Sequence, residues 1–318
     1  MNNDWPSPET TNNIAFELVN RAINDSENLE IYVEEIGGAT VLDFAVGRVG
    51  SPSSGMLLSQ ICMSGLAAVE YVSHDPMWSQ IQVHTNKPLR CCIGSQYAGW
   101  PMSDGDFFAM CSGPMRMLCN KEQILADYDL GGTGEKAVGV LESNTLPTEA
   151  VIVKIAASCG VDPKDICLCV ARTASHPGSI QVVARSLETA LHKLYELDFD
   201  LRSIIEGTGH APIPPIADDD LTALGWTNDC VLYGGKVELT VDTEDEMIES
   251  IIDRIPSCSS HEFGTPFLDI FNHYERDFYK IDKMLFSPAQ ITITNQRTNK
   301  VFKSGEVRND ILVSSFKG

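Results

Sequence analysis

The chain has 318 residues, of which 43% are hydrophobic, and its 44 acidic and 23 basic residues give a formal net charge of −21. This length and apolar content can bury one large core or two ordinary ones, and we expect two domains. The negative charge disfavours nucleic acid and anionic membrane surfaces as partners. Because no run of eighteen apolar residues occurs and the first residues lack the blocks of a signal peptide, we expect a soluble, cytoplasmic protein.

The hydrophobic periodicity of the first 126 residues predicts a mixture of helices and strands. The predicted elements are, in chain order, a helix at 10–24, strands at 29–33 and 40–46, a helix at 55–72, strands at 81–85 and 89–93, and a helix from 113 toward 126. The two strands that flank Gly37-Gly38 are expected to form a hairpin, because glycine pairs favour tight turns.

The remainder of the chain repeats this pattern with clearer signals. The predicted elements are a strand at 137–141, a helix at 147–158, strands at 166–171 and 179–183, a helix from 185, an extended linker at 212–215, a short helix to 224, two strands within 229–241, helices at 244–255 and 267–279, and a hairpin at 289–295 and 300–307. Strands followed by helices indicate an α/β fold with mixed α and β elements. We place residues 1–147 with 262–318 in a first domain and 148–261 in a second, since chain termini often lie together.

Arg185 and Glu188 are the most informative pair in the predicted helices. Residues three apart lie on one helical face, so their side chains can meet over one turn. A separate face is marked as buried by leucines at i, i+4 and i+7, namely Leu187, Leu191 and Leu194. A reactive carboxylate with its cation would fit this pattern. So would a solvated ion pair worth about 0.3–0.5 kcal/mol, and the residues alone leave both interpretations open.

Two glycine-containing runs between the predicted elements carry unusual polar and aromatic residues. The segments 96–100 and 104–108 interleave amide, carboxylate and aromatic groups, which predicts a flat site for a polar-edged ring or, alternatively, a loop packed on the core. The turn at Ser112-Gly113 precedes a predicted helix and has Arg116 nearby. It could bind an anion or simply cap the helix, because both roles use the same residue types.

Cysteine and histidine spacing gives no metal or redox signature. Ten cysteines occur without a C-x-x-C motif, and seven histidines occur without H-E-x-x-H. The glycine-rich segment 129–136 ends in lysine, but it has neither the spacing nor the Ser/Thr of a phosphate-binding loop. We therefore predict no metal ion and interpret this segment as a surface loop.

Taken together, the motifs resemble the methenyltetrahydromethanopterin cyclohydrolase family along nearly the whole chain. The resemblance rests on Gln96-x-Ala-Gly-Trp100, Gly105-Asp-Phe-Phe108, Ser112-Gly-Pro-x-Arg116, Gly178-Ser-Ile-Gln181, Arg185-x-x-Glu188, Ala211-Pro-Ile213, Thr227-Asn-Asp229, Gly234-Gly235 and 277–283. It implies reversible hydrolysis of the 5,10-methenyl bridge of tetrahydromethanopterin to a formyl group in one-carbon metabolism, without a metal or redox cofactor. It also implies a two-domain subunit with an interdomain cleft and a homotrimer.

The resemblance assigns Arg185 and Glu188 to the positions that face the reactive carbon. Glu188 is then the expected base and Arg185 its cation. The residues expected to bind the pterin substrate are Gln96, Trp100, Asp106, Phe107, Ser112, Gly113, Arg116, Ser179, Gln181, Asn228 and Lys280. The anionic tail of such a substrate requires a local basic or N–H-lined patch on this acidic protein, for which Arg116 with its turn and Lys280 or Lys283 are candidates.

Departures from the family pattern concern the contacts of the tail more than the reaction. They are Tyr97, Cys111, Met115 and His176-Pro177. A pterin-binding or assembly protein that lost turnover is the competing function. A tetrahydrofolate cyclohydrolase conflicts with the motifs, because the dinucleotide-binding fingerprint of its relatives is absent from the sequence.

Overall fold

A computed structural model describes residues 6–73 and 77–317. The first five residues, which enter the signal-peptide argument, and His74 lie outside the described residues. None of the helices in the described ranges combines the length and apolar character that a membrane span requires.

Helices and strands alternate along most of the chain. The helices are α1 (Pro8–Asn24), α2 (Ser26–Leu29), α3 (Pro52–Cys62), α4 (Met115–Cys119), α5 (Gln123–Asp127), α6 (Glu149–Cys159), α7 (His176–Val183), α8 (Ser186–Glu196), α9 (Asp220–Gly234), α10 (Asp245–Glu249), α11 (Phe267–His273) and α12 (Asn309–Ser315). The strands are β1 (Tyr32–Ile36), β2 (Ala39–Ala45), β3 (Ala68–Val72), β4 (Gln80–Thr85), β5 (Trp100–Asp104), β6 (Phe107–Ser112), β7 (Ala137–Glu142), β8 (Ile166–Ala171), β9 (Ile204–Pro212), β10 (Lys236–Val241), β11 (Gln290–Asn295) and β12 (Val301–Gly305). A π-helix spans Leu89–Gln96.

The chain forms two compact units, each built around a six-stranded mixed sheet, which confirms the α/β class. The first unit comprises Met1–Ala67 and Arg90–Gln181, and the second comprises Ala68–Leu89 and Val182–Gly318. These segments differ from the predicted domains. The reason is strand pairing: β4 pairs with β9, and β11 pairs with β10, so residues 68–89 and the C-terminal hairpin join the second unit instead of the first.

The sheet of the first unit has the order β1-β2-β8-β7-β6-β5, with β2, β8 and β7 parallel. Its central strand β8 is buried throughout, as is typical of parallel strands covered on both faces. Alternate residues of β8 contact different cores. Cys167 and Cys169 pack with α1 and α3, whereas Leu168 and Val170 pack with α6. The predicted strand at 166–171 is confirmed.

The sheet of the second unit has the order β12-β11-β10-β9-β4-β3, in which β10 and β11 are the parallel pair. Helix α8 packs on β9 and β10. Buried residues of α9, α11 and α12 form a separate aromatic-rich core around Tyr233 and Phe267. The predicted hairpin near the C-terminus is confirmed as β11 and β12.

Several predicted elements are wrong in type. The predicted strand at 89–93 is the π-helix, the strand at 179–183 is part of α7, and the first of the two strands within 229–241 is the end of α9. The predicted helix at 55–72 ends at Cys62, and β3 follows it. The predicted linker at 212–215 begins at Pro212, the last residue of β9, and otherwise has no regular secondary structure, whereas the run 100–108, which lay between the predicted elements, contains β5 and the first two residues of β6.

Candidate active site

Arg185 and Glu188 lie at the N-terminal end of α8. Arg185 is the N-cap residue, its N–H donates to the carbonyl of Val182 at 3.0 Å, and its own carbonyl accepts from the N–H of Thr189 at 2.8 Å. Glu188 lies in the first turn, where the positive end of the helix dipole favours a carboxylate. The chain therefore breaks between α7 and α8 directly before the predicted catalytic pair.

Both side chains of this pair are buried, with 9% of Arg185 and 6% of Glu188 exposed. The sequence interpretation kept the pair off the buried face, and the structure corrects it: the leucine face and the charged face are both covered. Burying a charge is costly unless strong partners compensate. A solvated ion pair therefore does not describe these residues, and burial of two ionisable side chains in one helical turn is a feature that functional sites often share.

A second polar cluster lies in the first unit, at the carboxyl ends of β7 and β8. Thr173 donates its hydroxyl to Glu142 Oε1, and Gln181 Nε2 donates to Glu142 Oε2 at 3.5 Å. Ser179 donates its hydroxyl to the carbonyl of Thr173 at 3.0 Å. Ser179 and Gln181 were predicted from the sequence, whereas Glu142 and Thr173 were missed. Both missed residues lie at or just after the carboxyl ends of neighbouring parallel strands, where binding residues are commonly found, and this position could have indicated them.

Close backbone packing fixes the start of α7. The Ser175 hydroxyl accepts the N–H of Gly178 at 3.0 Å, as an N-terminal cap does. A Cβ at position 178 would lie 1.9 Å from the carbonyl oxygen of Arg172, so only glycine fits there. The turn at 172–178 thereby places Ser179 and Gln181 beside Glu142.

Comparison with known proteins identifies the family. The family model described as Cyclohydrolase (MCH) matches residues 10–316. The methenyltetrahydromethanopterin cyclohydrolase of Rhodopirellula baltica is 46% identical over 289 residues, covering 88% of this chain and 87% of the relative. The enzyme of the same name from Methanospirillum hungatei is 41% identical over 315 residues, covering 96% and 98%. That of Methylobacillus flagellatus is 38% identical over 316 residues, covering 98% and 96%.

The chain belongs to this cyclohydrolase family. The resemblance drawn from the sequence motifs is confirmed, and so is the assignment of the chain as a hydrolase that opens a cyclic C–N bond. The remaining residues predicted for this cyclohydrolase lie in several different surroundings.

The residues predicted to bind the ring differ in burial and in the element on which they lie. Trp100 and Phe107 lie on β5 and β6 and are buried in the core that includes α6, so the alternative of a segment packed on the core describes them. Asp106 is exposed in the turn between these strands. Gln96 is buried at the end of the π-helix, a type of helix often found at functional sites.

The side chain of Arg116 is held by contacts within the protein. Its guanidinium is fully buried, pairs with Glu122 Oε2 at 2.7 Å, and donates to the carbonyls of Ile93 at 3.0 Å and Gly94 at 3.2 Å. It therefore holds the carbonyl end of the π-helix and is not accessible to an anion from solvent. This burial counts against the predicted anion site, and the helix-cap alternative is not observed either, because α4 has Pro114 as its N-cap residue and no side-chain cap hydrogen bond.

The Ser112-Gly113 turn is likewise fixed by internal contacts. Ser112 donates its hydroxyl to the carbonyl of Val140 at 3.3 Å, and the N–H of Gly113 donates to the carbonyl of Ser95 at 2.7 Å. Gly113 has a φ of +90°, and a Cβ there would lie 3.1 Å from the carbonyl of Val138. The turn follows β6 in the chain, and the hydrogen bond from Gly113 to Ser95 holds it against the π-helix. The N–H of Gly113 is therefore used within the protein.

Asn228 and Lys280 belong to the second unit but not to a common cluster. Asn228 is half-buried on α9 and donates to the carbonyl of Leu224 at 2.9 Å. Lys280 has a half-exposed side chain and pairs with Glu275 at 3.2 Å. Among the described residues, no three His, Cys, Asp or Glu side chains are grouped as metal ligands. The absence of a metal stays a prediction.

Proposed function

We propose that this chain catalyses the reversible hydrolysis of 5,10-methenyltetrahydromethanopterin to 5-formyltetrahydromethanopterin. The observation that carries the proposal is the buried pair of Arg185 and Glu188 at the start of α8 in a member of the cyclohydrolase family. The relatives named above carry the name of this substrate, which supports the same substrate for this chain.

Glu188 is the proposed general base. The methenyl carbon of the substrate lies in an amidinium, N–CH=N⁺, and water adds to it while the carboxylate accepts one proton. The resulting carbinolamine loses its N10–C bond as Glu188 returns that proton to N10. The carbinol hydroxyl releases its proton to solvent and becomes the formyl oxygen. Positioned proton transfer of this type typically contributes about 10²- to 10⁴-fold to the rate.

Arg185 is the proposed partner of this carboxylate. A guanidinium remains charged at any pH the enzyme meets, so it favours the ionised form of a neighbouring acid. Its planar array of N–H donors can also orient the attacking water. At the N-terminal end of α8 the helix dipole acts in the same direction on Glu188. Both effects keep the base ready to accept a proton.

The Glu142 cluster offers groups that match the edge of a pterin ring. A pterin presents amide-like N–H donors and carbonyl or ring-nitrogen acceptors, and a carboxylate beside a side-chain amide supplies the complementary acceptors and donor. Glu142 and Gln181 are already oriented by mutual contact and by Thr173. We therefore add Glu142 to the residues proposed to bind substrate.

We further propose that the enzyme works without a metal or other cofactor, assembles as a homotrimer and resides in the cytoplasm. The first two proposals follow from the motif resemblance.

The trimer can be tested by analytical ultracentrifugation, in which we expect a mass three times that of the chain. The ten cysteines are all free thiols, which is typical of a reducing compartment and supports the third proposal.

The experiment that tests the proposed function follows the loss of methenyl absorbance with the purified protein. Turnover of methenyltetrahydromethanopterin is expected, with little or none for methenyltetrahydrofolate. Tight binding of the pterin without loss of absorbance would instead establish the alternative, a pterin-binding protein that lost turnover. Turnover of the folate compound alone would contradict the assigned substrate.

A further inference from the structure

Two glycines of β9 lie under the first turn of α8. A Cβ at position 209 would lie 2.6 Å from Ser186 Oγ and 2.8 Å from the backbone nitrogen of Leu187. A Cβ at position 207 would lie 2.7 Å from Leu187 Cδ1 and 2.9 Å from Leu239 Cδ2. Residues two apart on a strand share a face, so these glycines form one bare surface on which α8 rests.

The two glycines differ in what a methyl group would meet. At Gly207 the nearest atoms are the ends of leucine side chains, which can rotate. At Gly209 a nearby atom is the main chain of Leu187, which cannot move without moving the helix. Leu187 lies between Arg185 and Glu188, so the contact with Gly209 sets the height of the catalytic turn above the sheet.

The other end of α8 is held independently. Lys193 is 1% exposed, and its ammonium donates to Ser259 Oγ at 3.1 Å and to the carbonyl of Met284. These contacts oppose movement of the whole helix. Displacement caused by a larger residue at position 209 therefore falls on the first turn, where Arg185 and Glu188 lie.

We propose that Gly209 is a positioning residue for the hydrolytic reaction, acting through Leu187 and the first turn of α8. The inference rests on the proposed function, because it assigns Gly209 an effect on the base Glu188. An error of about 1 Å in the placement of a catalytic group can cost on the order of 10² in rate. Close approach of helix and strand is thus part of the catalytic geometry and not only of the fold.

The test compares Gly209→Ala with Gly207→Ala and with Gly47→Ala, where the added Cβ would meet nothing within 4 Å. We expect kcat to fall about 10- to 100-fold for Gly209→Ala and less for Gly207→Ala, and to stay unchanged for Gly47→Ala. KM should change little, because Glu188 acts mainly in the transition state. The acidic limb of the kcat–pH profile should move to higher pH, since displacement weakens the support of the ionised carboxylate.

All assays are made well below the melting temperature of each variant, so that loss of folded protein does not lower kcat. Ser186→Gly/Gly209→Ala removes the atom closest to the new methyl group but leaves the backbone nitrogen of Leu187 at 2.8 Å, so most of the loss in kcat should remain. The hydroxyl of Ser186 is fully buried, and the described residues offer it no hydrogen-bond partner, so its removal forfeits no such bond.

Equal kcat and equal pH profiles for Gly209→Ala and Gly47→Ala would overturn the proposal. So would failure of both Gly209→Ala and the double variant to fold, which would assign Gly209 to folding. Failure of the proposed function is a separate result, because the unsubstituted protein itself would then show no turnover.

Discussion

Arg185 and Glu188 are charged side chains that the fold keeps away from water. Burial alone does not establish a catalytic role, as the fully buried Arg116 shows. The two arginines differ in their surroundings. Arg116 is held by Glu122 and by carbonyls of the π-helix, and it stabilises a turn. Arg185 occupies the N-cap position of α8, whose first turn carries the carboxylate that the family motif places at the reactive carbon.

We expect the buried carboxyl group of Asp229 to make the stability of the protein depend on pH. Its fully buried carboxyl accepts the N–H of Phe267 at 2.8 Å and the hydroxyl of Ser315 at 2.5 Å. Burial raises the pKa of Asp229 to about 7, although the bonds from Ser315 and Phe267 oppose this. Between about pH 4 and 7 the folded protein thus holds a proton that the unfolded chain releases. The contribution of Asp229 to stability is present at low pH and is lost as the pH rises through 7.

Asp229→Asn removes this titration and keeps an acceptor for Phe267. We expect the free energy of unfolding of the variant, relative to the unsubstituted protein, to increase by about 2–3 kcal/mol between pH 5 and pH 8. Urea unfolding of both proteins at each pH measures this difference, in which the effects of other carboxyl groups cancel. A difference that does not change with pH would show that the carboxyl titrates normally.

Single residues could be predicted from the sequence where a family motif or a hydrophobic periodicity includes them. The spacing of Leu187 and its companions predicted the buried face of α8, and the family motif predicted Arg185 and Glu188. Glu142 was missed because its partners, Thr173 and Gln181, lie more than thirty residues away in the chain. The burial of Arg116 could not be foreseen either, since it depends on Glu122 and on the unexpected π-helix.

The elements show where local patterns are ambiguous. The run 166–171 is apolar and bounded by turns, and it forms a buried strand as predicted. The run 179–183 is also short and apolar, but it forms part of α7. Periodicity alone does not separate a short buried strand from a buried helical segment. Here the cap by Ser175 and the close contact of Gly178 with Arg172 start a helix.

Gly178→Ala tests this explanation of α7. The new Cβ would lie 1.9 Å from the Arg172 carbonyl oxygen and 2.9 Å from the Cα of Thr173, so the backbone must shift. We expect the free energy of unfolding to fall by about 2–3 kcal/mol, in the upper range for overpacked sites. Urea unfolding measures the loss, with Gly47→Ala as the matched substitution. Equal stability of the two variants would mean that the 172–178 turn is not constrained as described.

For the molecule as a whole, the sequence predicted the number of units but not which segments of the chain form each unit. Length and the alternation of elements predicted two α/β units. Assignment of residues 68–89 and of the C-terminal hairpin depended on pairing between distant strands, such as β4 with β9 and β10 with β11. Such pairing leaves no local signal, and the rule that chain termini lie together misplaced the hairpin.

The proposed role of Glu188 as the base of the hydrolysis can be tested by a single substitution. Glu188→Gln keeps the size of the side chain and one acceptor oxygen while removing its basicity. Glu196→Gln is the matched control, because Glu196 lies on the same helix and faces His192 at 3.8 Å and Lys283 at 3.6 Å.

The decisive measurement is kcat for loss of methenyl absorbance, determined for both variants and the unsubstituted protein. We predict that Glu188→Gln lowers kcat about 10²- to 10⁴-fold and that Glu196→Gln changes it less than about twofold. Near-native kcat in a folded Glu188→Gln variant would show that Glu188 is not the base and that another residue accepts the proton.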